Sequence, residues 1–379
     1  MTAIPPSLYI HFPWCLCKCP YCDFNSYPLT EPAEELYASY VDKLLVDLEI
    51  EAAKVRGRKL NSIYFGGGTP SLLPASAVKK LINRTNDLFS FSPDVEITLE
   101  ANPGAIDLEV CEGFKDAGIN RISLGVQSFN DEKLKSIGRI HDARQAQEAV
   151  CAVKQAGFAN FNLDMMFGLP GQNVDTALRD LRAALDFAPP HFSWYQLTLE
   201  PKTQFAVQPP ILPQNEELWD IQQAGQDLLA QTGLVQYEVS AYSKPEFECR
   251  HNVNYWQYGD YLGVGAGAHG KITLKNGEVR RYWKIANPKE YLQAQDLLTA
   301  GEKTVILKEL PFEFMLNALR LYRPISHALF RERTGVTIDV IANELQYAKD
   351  SGLIELQSDA VITTAKGRNF LNDLLEIFL

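Results

Sequence analysis

The first half of the chain alternates six short β-rich runs with amphipathic stretches, and this alternation limits the folds it can adopt. The β-rich runs are Leu8–Phe12, Ser62–Phe65, Glu96–Leu99, Arg121–Gly125, Phe161–Met166 and His191–Leu199. The amphipathic stretches between them are Ala33–Val55, Ala75–Phe89, Asp107–Ala117, Ala143–Ala156 and Thr176–Phe187. Strand–helix units in succession form parallel strands with right-handed crossovers. Six units are too few for a closed eight-unit barrel, so the pattern predicts an open, partial (β/α)6 TIM-type barrel of the α/β class.

Polar and glycine-rich residues close or follow several of the predicted strands. In chain order they are Gly66–Gly68 with Thr69, then Glu100 and Gln127, while Asp164 and the pair Tyr195–Gln196 lie inside the fifth and sixth runs. The carboxyl ends of barrel strands share one face, and active sites are built there. We therefore expect these residues to meet at one mouth of the barrel.

Four of the seven cysteines crowd into one loop directly after the first strand, namely Cys15, Cys17, Cys19 and Cys22. Cys15, Cys19 and Cys22 have the spacing C-x3-C-x2-C. Structural zinc usually takes four ligands, often as two distant pairs. Three closely spaced thiolates suit an iron–sulfur cube better, and they leave one iron open to a small molecule.

Composition narrows the setting of this chemistry. The segment Met1 to Ser7 has neither a basic start nor an apolar core, so no signal peptide is predicted. Clustered thiols then indicate metal or redox chemistry in a reducing cytoplasm. No apolar run approaches the ~20 residues that span a bilayer. The net charge of −11 argues against general nucleic-acid binding, which needs a basic face.

The cysteine spacing, with Tyr21 before the last cysteine, resembles that of the radical S-adenosylmethionine (SAM) family. The resemblance implies a 4Fe–4S cluster on Cys15, Cys19 and Cys22, with SAM on the fourth iron, and an electron donor for the cluster. It implies that the GGGTP run pairs with the amino group of SAM, although a plain strand-to-helix turn is the alternative. The residues it places beside the cofactor are Tyr9, Tyr21, Gly67, Gly68, Thr69, Glu100, Gln127, Arg139, Asp164 and Gln196.

The resemblance covers nearly the whole chain and is strongest to proteins related to the oxygen-independent coproporphyrinogen III oxidase. The oxidase pattern is C-x3-C-x2-C-x-C, and Phe24 stands here at the position of its fourth cysteine. Phenylalanine cannot replace a thiol in chemistry. This departure argues against porphyrinogen decarboxylation.

A second motif resembles the haem-chaperone branch of the same family. The run Arg250–Trp256 contains H-N-x-x-Y-W. A neutral imidazole can ligate haem iron, and tyrosine and tryptophan offer flat apolar faces to a porphyrin. His251 is therefore the predicted haem ligand. Cys249 and His269 are alternatives, as is a purely structural role for His251.

The pattern changes after residue 200, and three parts are predicted. Residues 1–200 form the barrel with the cluster and SAM, residues 201–310 form a connector that carries the haem motif, and residues 311–379 form a mixed α+β, winged-helix-like module. Winged-helix modules often bind DNA, but the acidic character of this end favours packing or partner docking.

Together the two resemblances imply a cytoplasmic haem chaperone that carries a 4Fe–4S cluster and SAM and delivers haem to an acceptor haem protein, such as a respiratory one. The first alternative is a coproporphyrinogen III oxidase, which would make this chain an enzyme. A radical-SAM enzyme with an unrelated substrate and a DNA-binding regulator are the others. Transient membrane association and the oligomeric state stay open.

Overall fold

The six predicted strands are parallel neighbours in one twelve-stranded sheet of the computed structural model, which describes residues 4–29, 34–55, 57–295 and 297–379. Ala33, the first residue of the predicted first helix, lies outside the described residues. So do Met1–Ala3, which belong to the segment in which no signal peptide is predicted. The strands are β1 (Pro6–Phe12), β2 (Trp14–Cys15), β3 (Tyr27–Pro28), β4 (Lys59–Gly67), β5 (Ser90–Ala101), β6 (Arg121–Gln127), β7 (Asn160–Phe167), β8 (His191–Gln196), β9 (Val235–Glu238), β10 (Ala241–Ser243), β11 (Asp260–Val264), β12 (His269–Thr273), β13 (Val279–Lys284), β14 (Thr299–Val305), β15 (Ile325–Ser326), β16 (Ile354–Leu356) and β17 (Ala360–Thr363).

The predicted helices are confirmed with small shifts at their ends. The helices are α1 (Glu34–Ala52), α2 (Ala75–Leu88), α3 (Leu108–Ala117), α4 (Asp131–Ser136), α5 (Ala143–Gln155), α6 (Val174–Leu185), α7 (Gln204–Val207), α8 (Asn215–Ala230), α9 (Arg250–Trp256), α10 (Pro288–Gln293), α11 (Leu310–Ala318), α12 (His327–Thr334), α13 (Ala342–Asp350), α14 (Ala365–Asn369) and α15 (Leu371–Glu376). Among the helices in the described ranges, none is both long enough and apolar enough to cross a membrane.

The sheet has the order β14-β13-β12-β11-β1-β4-β5-β6-β7-β8-β10-β9. The pairs from β1 to β8 are parallel, as the strand–helix alternation predicts. A seventh parallel strand, β11, pairs with β1 on its other side. Sequence analysis missed this strand, because β11 follows β1 by more than 240 residues and no local pattern records such a pairing.

The parallel strands separate their side chains by alternation, since successive residues of a strand point to opposite faces. In β1, Leu8, Ile10 and Phe12 belong to the main apolar core, which packs the sheet against the helices. Their neighbours Ser7, Tyr9 and His11 are on the other face, inside the curve of the sheet. The same face of the other strands carries Ser62, Tyr64, Thr98, Glu100, Ser123, Gln127, Asn162, Asp164, Ser193 and Tyr195. The barrel interior is therefore polar.

The chain after the barrel has two structural settings. Strands β9 to β14 extend the barrel sheet at both of its edges. From Leu310 onward, five helices and the small antiparallel sheet β15-β17-β16 enclose a second core that includes Phe314, Phe330 and Val361. The predicted α+β character of this end is confirmed. The winged-helix detail and the domain limits at residues 200 and 310 stay predictions.

A fully buried ion cluster joins the first helix to the far edge of the sheet. Lys284 Nζ lies 2.5 Å from an oxygen of Asp47 and 2.6 Å from an oxygen of Glu51, and all three side chains are 0% exposed. Tyr291 donates a 2.7 Å hydrogen bond to Asp47, and Tyr282 donates one of 2.5 Å to Glu51. The buried carboxylates are thus fully partnered, as burial of charge requires.

Candidate functional site

The carboxyl ends of the barrel strands and the cysteine loop enclose a cavity of about 390 Å³. This is the mouth that the sequence predicts. All the predicted site residues except Tyr9 and His251 line it, namely Cys15, Cys19, Cys22, Tyr21, Gly67, Gly68, Thr69, Glu100, Gln127, Arg139, Asp164 and Gln196.

Tyr9 and His251 lie deeper in the barrel than the cavity. The hydroxyl of Tyr9 is 2.9 Å from Nδ1 of His11. His251, in α9, is 9% exposed, and its Nδ1 is 3.3 Å from the hydroxyl of Ser62. Its ring centroid is 4.9 Å from that of Tyr64, which does line the cavity. Burial lowers the pKa of His251 to about 3, so its imidazole is neutral at pH 7.

Hydrogen bonds from the Lys18 side chain to backbone carbonyls stabilise the cysteine loop. Lys18 Nζ donates to the carbonyls of Phe24 and Ser26, at 2.9 and 3.0 Å, and ties the two ends of the loop together. Arg139 Nη1 lies 3.6 Å from Sγ of Cys19. Arg139 and Cys19 therefore meet at the wall of the cavity.

The donor set of the three spaced thiols suits an iron–sulfur cluster, whose ligands are thiolates. They line one cavity, yet no group of three or more His, Cys, Asp or Glu side chains converges on an ion site within the described ranges. A cube presents a separate corner to each thiolate, so its ligands need not converge on one point. Burial raises the pKa of Cys15 to about 11, and coordination to a metal would deprotonate that thiol outright. Phe24 stands at the cavity with 57% of its side chain exposed.

Gly67 and Gly68 stand where a side chain would collide with neighbouring atoms, and both line the cavity. A Cβ on Gly68 would lie 2.3 Å from the backbone oxygen of Trp14, and one on Gly67 would lie 2.5 Å from Cε1 of His11. Gly67 also has φ of +116°, which favours glycine. The turn interpretation is therefore correct for these two residues. Both line the cavity as well, so the turn presents bare backbone to it.

Two half-buried carboxyl groups, Glu100 and Asp164, face the cavity from different strands of the sheet. Glu100 accepts a 2.9 Å hydrogen bond from the Tyr64 hydroxyl and one of 3.2 Å from the Gly67 backbone. Burial raises the pKa of Glu100 to about 7, with Asp164 adding to the effect. Burial also raises the pKa of Asp164, although Asn162 and Ser123 donate to it at 2.8 and 3.0 Å. A cationic ligand between these groups would favour their ionised forms.

Gln127 and Arg139 also line the cavity. Gln127 closes β6 with φ of +70°, a conformation that costs energy for a residue with a side chain. Its Oε1 accepts a 2.6 Å hydrogen bond from Tyr195. Arg139 donates to the Gly125 carbonyl, and its buried Nε has no hydrogen-bond partner in the part of the chain described. A carboxylate ligand would supply one.

Sequence reasoning missed several residues that build this cavity. Tyr64, Ser123 and Ser193 all line it, and Asn162 orients Asp164. The signal that finds them is the two-residue period of the strands. Each stands an even number of residues from a predicted residue or glycine on the same strand, and so shares its face; on β8 that residue is Tyr195.

The sequence matches known protein families over most of its length. Residues 9–184 match the Radical SAM superfamily, and residues 306–370 match the HemN C-terminal domain. The chain is 46% identical over 384 residues to "Heme chaperone HemW" of Haemophilus influenzae, covering 100% of this chain and 99% of the relative. It is 45% identical over 380 residues to that of Escherichia coli, covering 100% of both.

The fold has a close counterpart among solved structures. Coproporphyrinogen III oxidase (HemN) from Escherichia coli, described as a radical SAM enzyme, superposes with a TM-score of 0.84 over 99% of this chain and 90% of its own, at 24% identity. That likeness confirms the architecture, including the α+β end. Full-length identity above 40% to two relatives of one name decides the membership. The chain belongs to the heme chaperone HemW family of the radical SAM superfamily.

Proposed function

We propose that this protein binds haem and transfers it to an acceptor haem protein. The observation that carries the proposal is its full-length similarity to proteins named heme chaperone. Phe24 supports it, because an exposed phenyl ring stands where the oxidase pattern has a fourth cysteine. The acceptor, for which a respiratory haem protein is our candidate, a reductant for the cluster and a cytoplasmic setting belong to the same proposal.

The superfamily implies a 4Fe–4S cluster and SAM. We assign the cluster to Cys15, Cys19 and Cys22. When bound, it would supply an electron to the sulfonium of SAM. The bare backbone at Gly67 and Gly68 and the side chain of Thr69 would receive the amino end of SAM. The unpartnered Nε of Arg139 would receive its carboxylate.

Glu100, Asp164, Gln127 and Gln196 would hold the rest of the cofactor. The two carboxyl groups can accept hydrogen bonds from ribose hydroxyls and face the sulfonium charge. Gln127 adds an amide without adding charge, and Tyr195 fixes its orientation. Tyr21, at the wall beside Arg139, and Tyr9, below Glu100, would support these groups from behind.

The pKa of Glu100 gives this cofactor assignment a pH test. An ionised Glu100 accepts more hydrogen bonds than its acid form and attracts the sulfonium. Its ionised fraction rises about tenfold from about pH 6 to about pH 8 if the pKa is near 7. SAM affinity of the anaerobically reconstituted protein should therefore rise with pH, by up to about tenfold over that interval. Equilibrium dialysis with labelled SAM measures it.

Glu100→Gln should weaken SAM binding and flatten its pH dependence. Glu112→Gln, an exposed residue of α3, is the control and should behave as the parent protein does. A pH dependence that persists unchanged in Glu100→Gln would contradict the role given to this carboxyl group.

The haem ligand is the least constrained part of the proposal. His251 is buried, so its binding to iron requires α9 to move. Cys249 is 1% exposed, whereas His269 is exposed and stacks on Trp283, which is 38% exposed. From the motif, we predict that His251→Ala shifts the absorption spectrum of bound haem. An unchanged spectrum in His251→Ala, with a shift in His269→Ala, would transfer the ligand to His269.

The central experiment offers both candidate substrates to one preparation. The reconstituted protein receives haem and coproporphyrinogen III together, with SAM and a reductant. The chaperone proposal expects stoichiometric haem binding and no protoporphyrinogen. Repeated turnover to protoporphyrinogen, with 5′-deoxyadenosine released, would make the protein the oxidase instead.

A further inference from the structure

A second cavity, of about 160 Å³, lies where α9 meets the C-terminal region. We call it the seam pocket. Its walls come from α9, from the segments before β1 and at the start of β4, and from α12. The lining residues are Pro5, Asn61, Glu248, Arg250, Val253, Asn254, Gln257 and Arg333. Arg250, Val253, Asn254 and Gln257 have the i, i+3, i+4, i+7 spacing of one helix face, and His251 does not line the seam pocket.

Arg333 is the unusual member of this lining. It is 8% exposed, and neither its Nε nor its Nη1 has a hydrogen-bond partner among the described residues. The oxygen of Glu332 nearest to Nη1 is 3.7 Å away, beyond hydrogen-bond reach. A buried cation without hydrogen bonds is costly, and native structures avoid it.

The neighbouring acids are already committed to other partners. Asp260 accepts from Arg58 at 2.6 Å, from Lys271 at 3.1 Å and from Thr273 at 2.8 and 2.9 Å. Asp260 is therefore occupied by Arg58, Lys271 and Thr273, and among the described residues it makes no hydrogen bond to Arg333. Within the seam pocket itself, Glu248 pairs with Arg323 at 3.3 Å. Arg250 pairs with Asp94 at 2.5 Å.

We propose that the seam pocket binds a single oxyanionic group, a carboxylate or a phosphate, through the guanidinium of Arg333. The volume suits one such group rather than a whole cofactor. The polar side chains of Asn61 and Gln257 in the wall can add hydrogen bonds. Arginine is the side chain best matched to carboxylate and phosphate, since its planar fork can donate twice to one oxyanion. Burial lowers the pKa of Arg333, and a bound anion would reverse this effect.

Two sources can supply that group. One is a propionate of haem, because the seam pocket lies on the helix that carries the H-N-x-x-Y-W motif. This source rests on the proposed function. The other is a free anion such as inorganic phosphate, which does not depend on haem.

The test compares Arg333→Gln with Arg331→Gln in the full-length protein. Both residues are in α12, but Arg331 is exposed and outside the seam pocket. Since neither Nε nor Nη1 of Arg333 makes a hydrogen bond with the described residues, Arg333→Gln should keep the fold, which circular dichroism checks. Arg333→Lys keeps the charge without the fork and should show an intermediate effect.

Inorganic phosphate should raise the unfolding midpoint of the parent protein and of Arg331→Gln above that in sodium chloride of equal ionic strength. Arg333→Gln should lose this difference. For haem, Arg333→Gln should weaken binding about tenfold, and haem dimethyl ester should bind the parent protein as weakly as haem binds Arg333→Gln.

The two arms separate the sources. A response in the haem arm identifies a propionate, and a response to phosphate alone identifies a free anion. If Arg333→Gln and Arg331→Gln give the same unfolding midpoints in phosphate and the same haem affinity, the proposal is wrong. Water molecules would then supply the hydrogen bonds of Arg333. Should the parent protein bind no haem, the proposed function fails, and the phosphate arm still decides the seam pocket.

Discussion

Replacing Cys15, Cys19 and Cys22 together with serine should abolish the iron–sulfur cluster. Serine keeps the size and polarity of each side chain but removes the soft thiolate that iron–sulfur clusters require. Anaerobic reconstitution should give about four iron atoms per chain for the parent protein and almost none for the triple variant. Iron and sulfide analysis, with the brown cluster absorbance, measures the difference.

Cys17→Ser is the matched control for the triple variant. Cys17 is exposed on the same loop and lies out of step with the C-x3-C-x2-C spacing. This variant should retain full iron and sulfide, and with them the absorbance. Full cluster content in the triple variant would mean that other residues ligate the metal. Loss of the cluster in Cys17→Ser would give Cys17 a part that its spacing does not suggest.

Replacing Lys284 with methionine should destabilise the fold far more than the loss of an exposed ion pair. Lys284 neutralises Asp47 and Glu51 with all three side chains 0% exposed. Methionine fills the space but leaves the buried Asp47 without a cation, whereas Glu51 keeps its 2.7 Å pair with Lys54. Breaking a buried ion pair in this way costs about 3–5 kcal/mol. Urea unfolding, followed by circular dichroism, should show a lower midpoint.

Lys303→Met provides the comparison on the same edge of the sheet. Lys303 pairs with Glu309 at 3.1 Å, but its side chain is 58% exposed, so its pair should contribute less than about 1 kcal/mol. Adding Asp47→Asn to Lys284→Met should recover part of the lost stability, because one uncompensated charge disappears. Equal midpoints for Lys284→Met and Lys303→Met would show that the buried cluster is not a stabilising feature.

Lys284→Met should also affect the cysteine loop that is proposed to hold the iron–sulfur cluster. Asp47 accepts from the backbone of Gly265 at 3.0 Å, and the adjacent Ala266 donates to the hydroxyl of Tyr40. Tyr40 in turn donates a 2.8 Å hydrogen bond to the carbonyl of His11. We expect weaker retention of iron in Lys284→Met as a second consequence.

Local sequence determined the barrel and most of its mouth. Apolar residues such as Leu8, Ile10 and Phe12 recur with a period of two, so each strand buries one face under helices and turns the other inward. Once the strands are parallel, their carboxyl ends must meet. Residues as distant in the chain as Cys15 and Asp164 could therefore be placed at one cavity without a structure.

Only the tertiary structure decided what depends on contacts between distant segments. The sequence favoured His251 as a haem ligand, whereas the fold buries it against Tyr64. Lys284 and Asp47 are 237 residues apart, and Arg333 meets α9 from another region of the chain. Periodicity and spacing record which face of an element is apolar. They do not record which charge, ring or pocket the opposite element brings to it, because that depends on how complete elements pack.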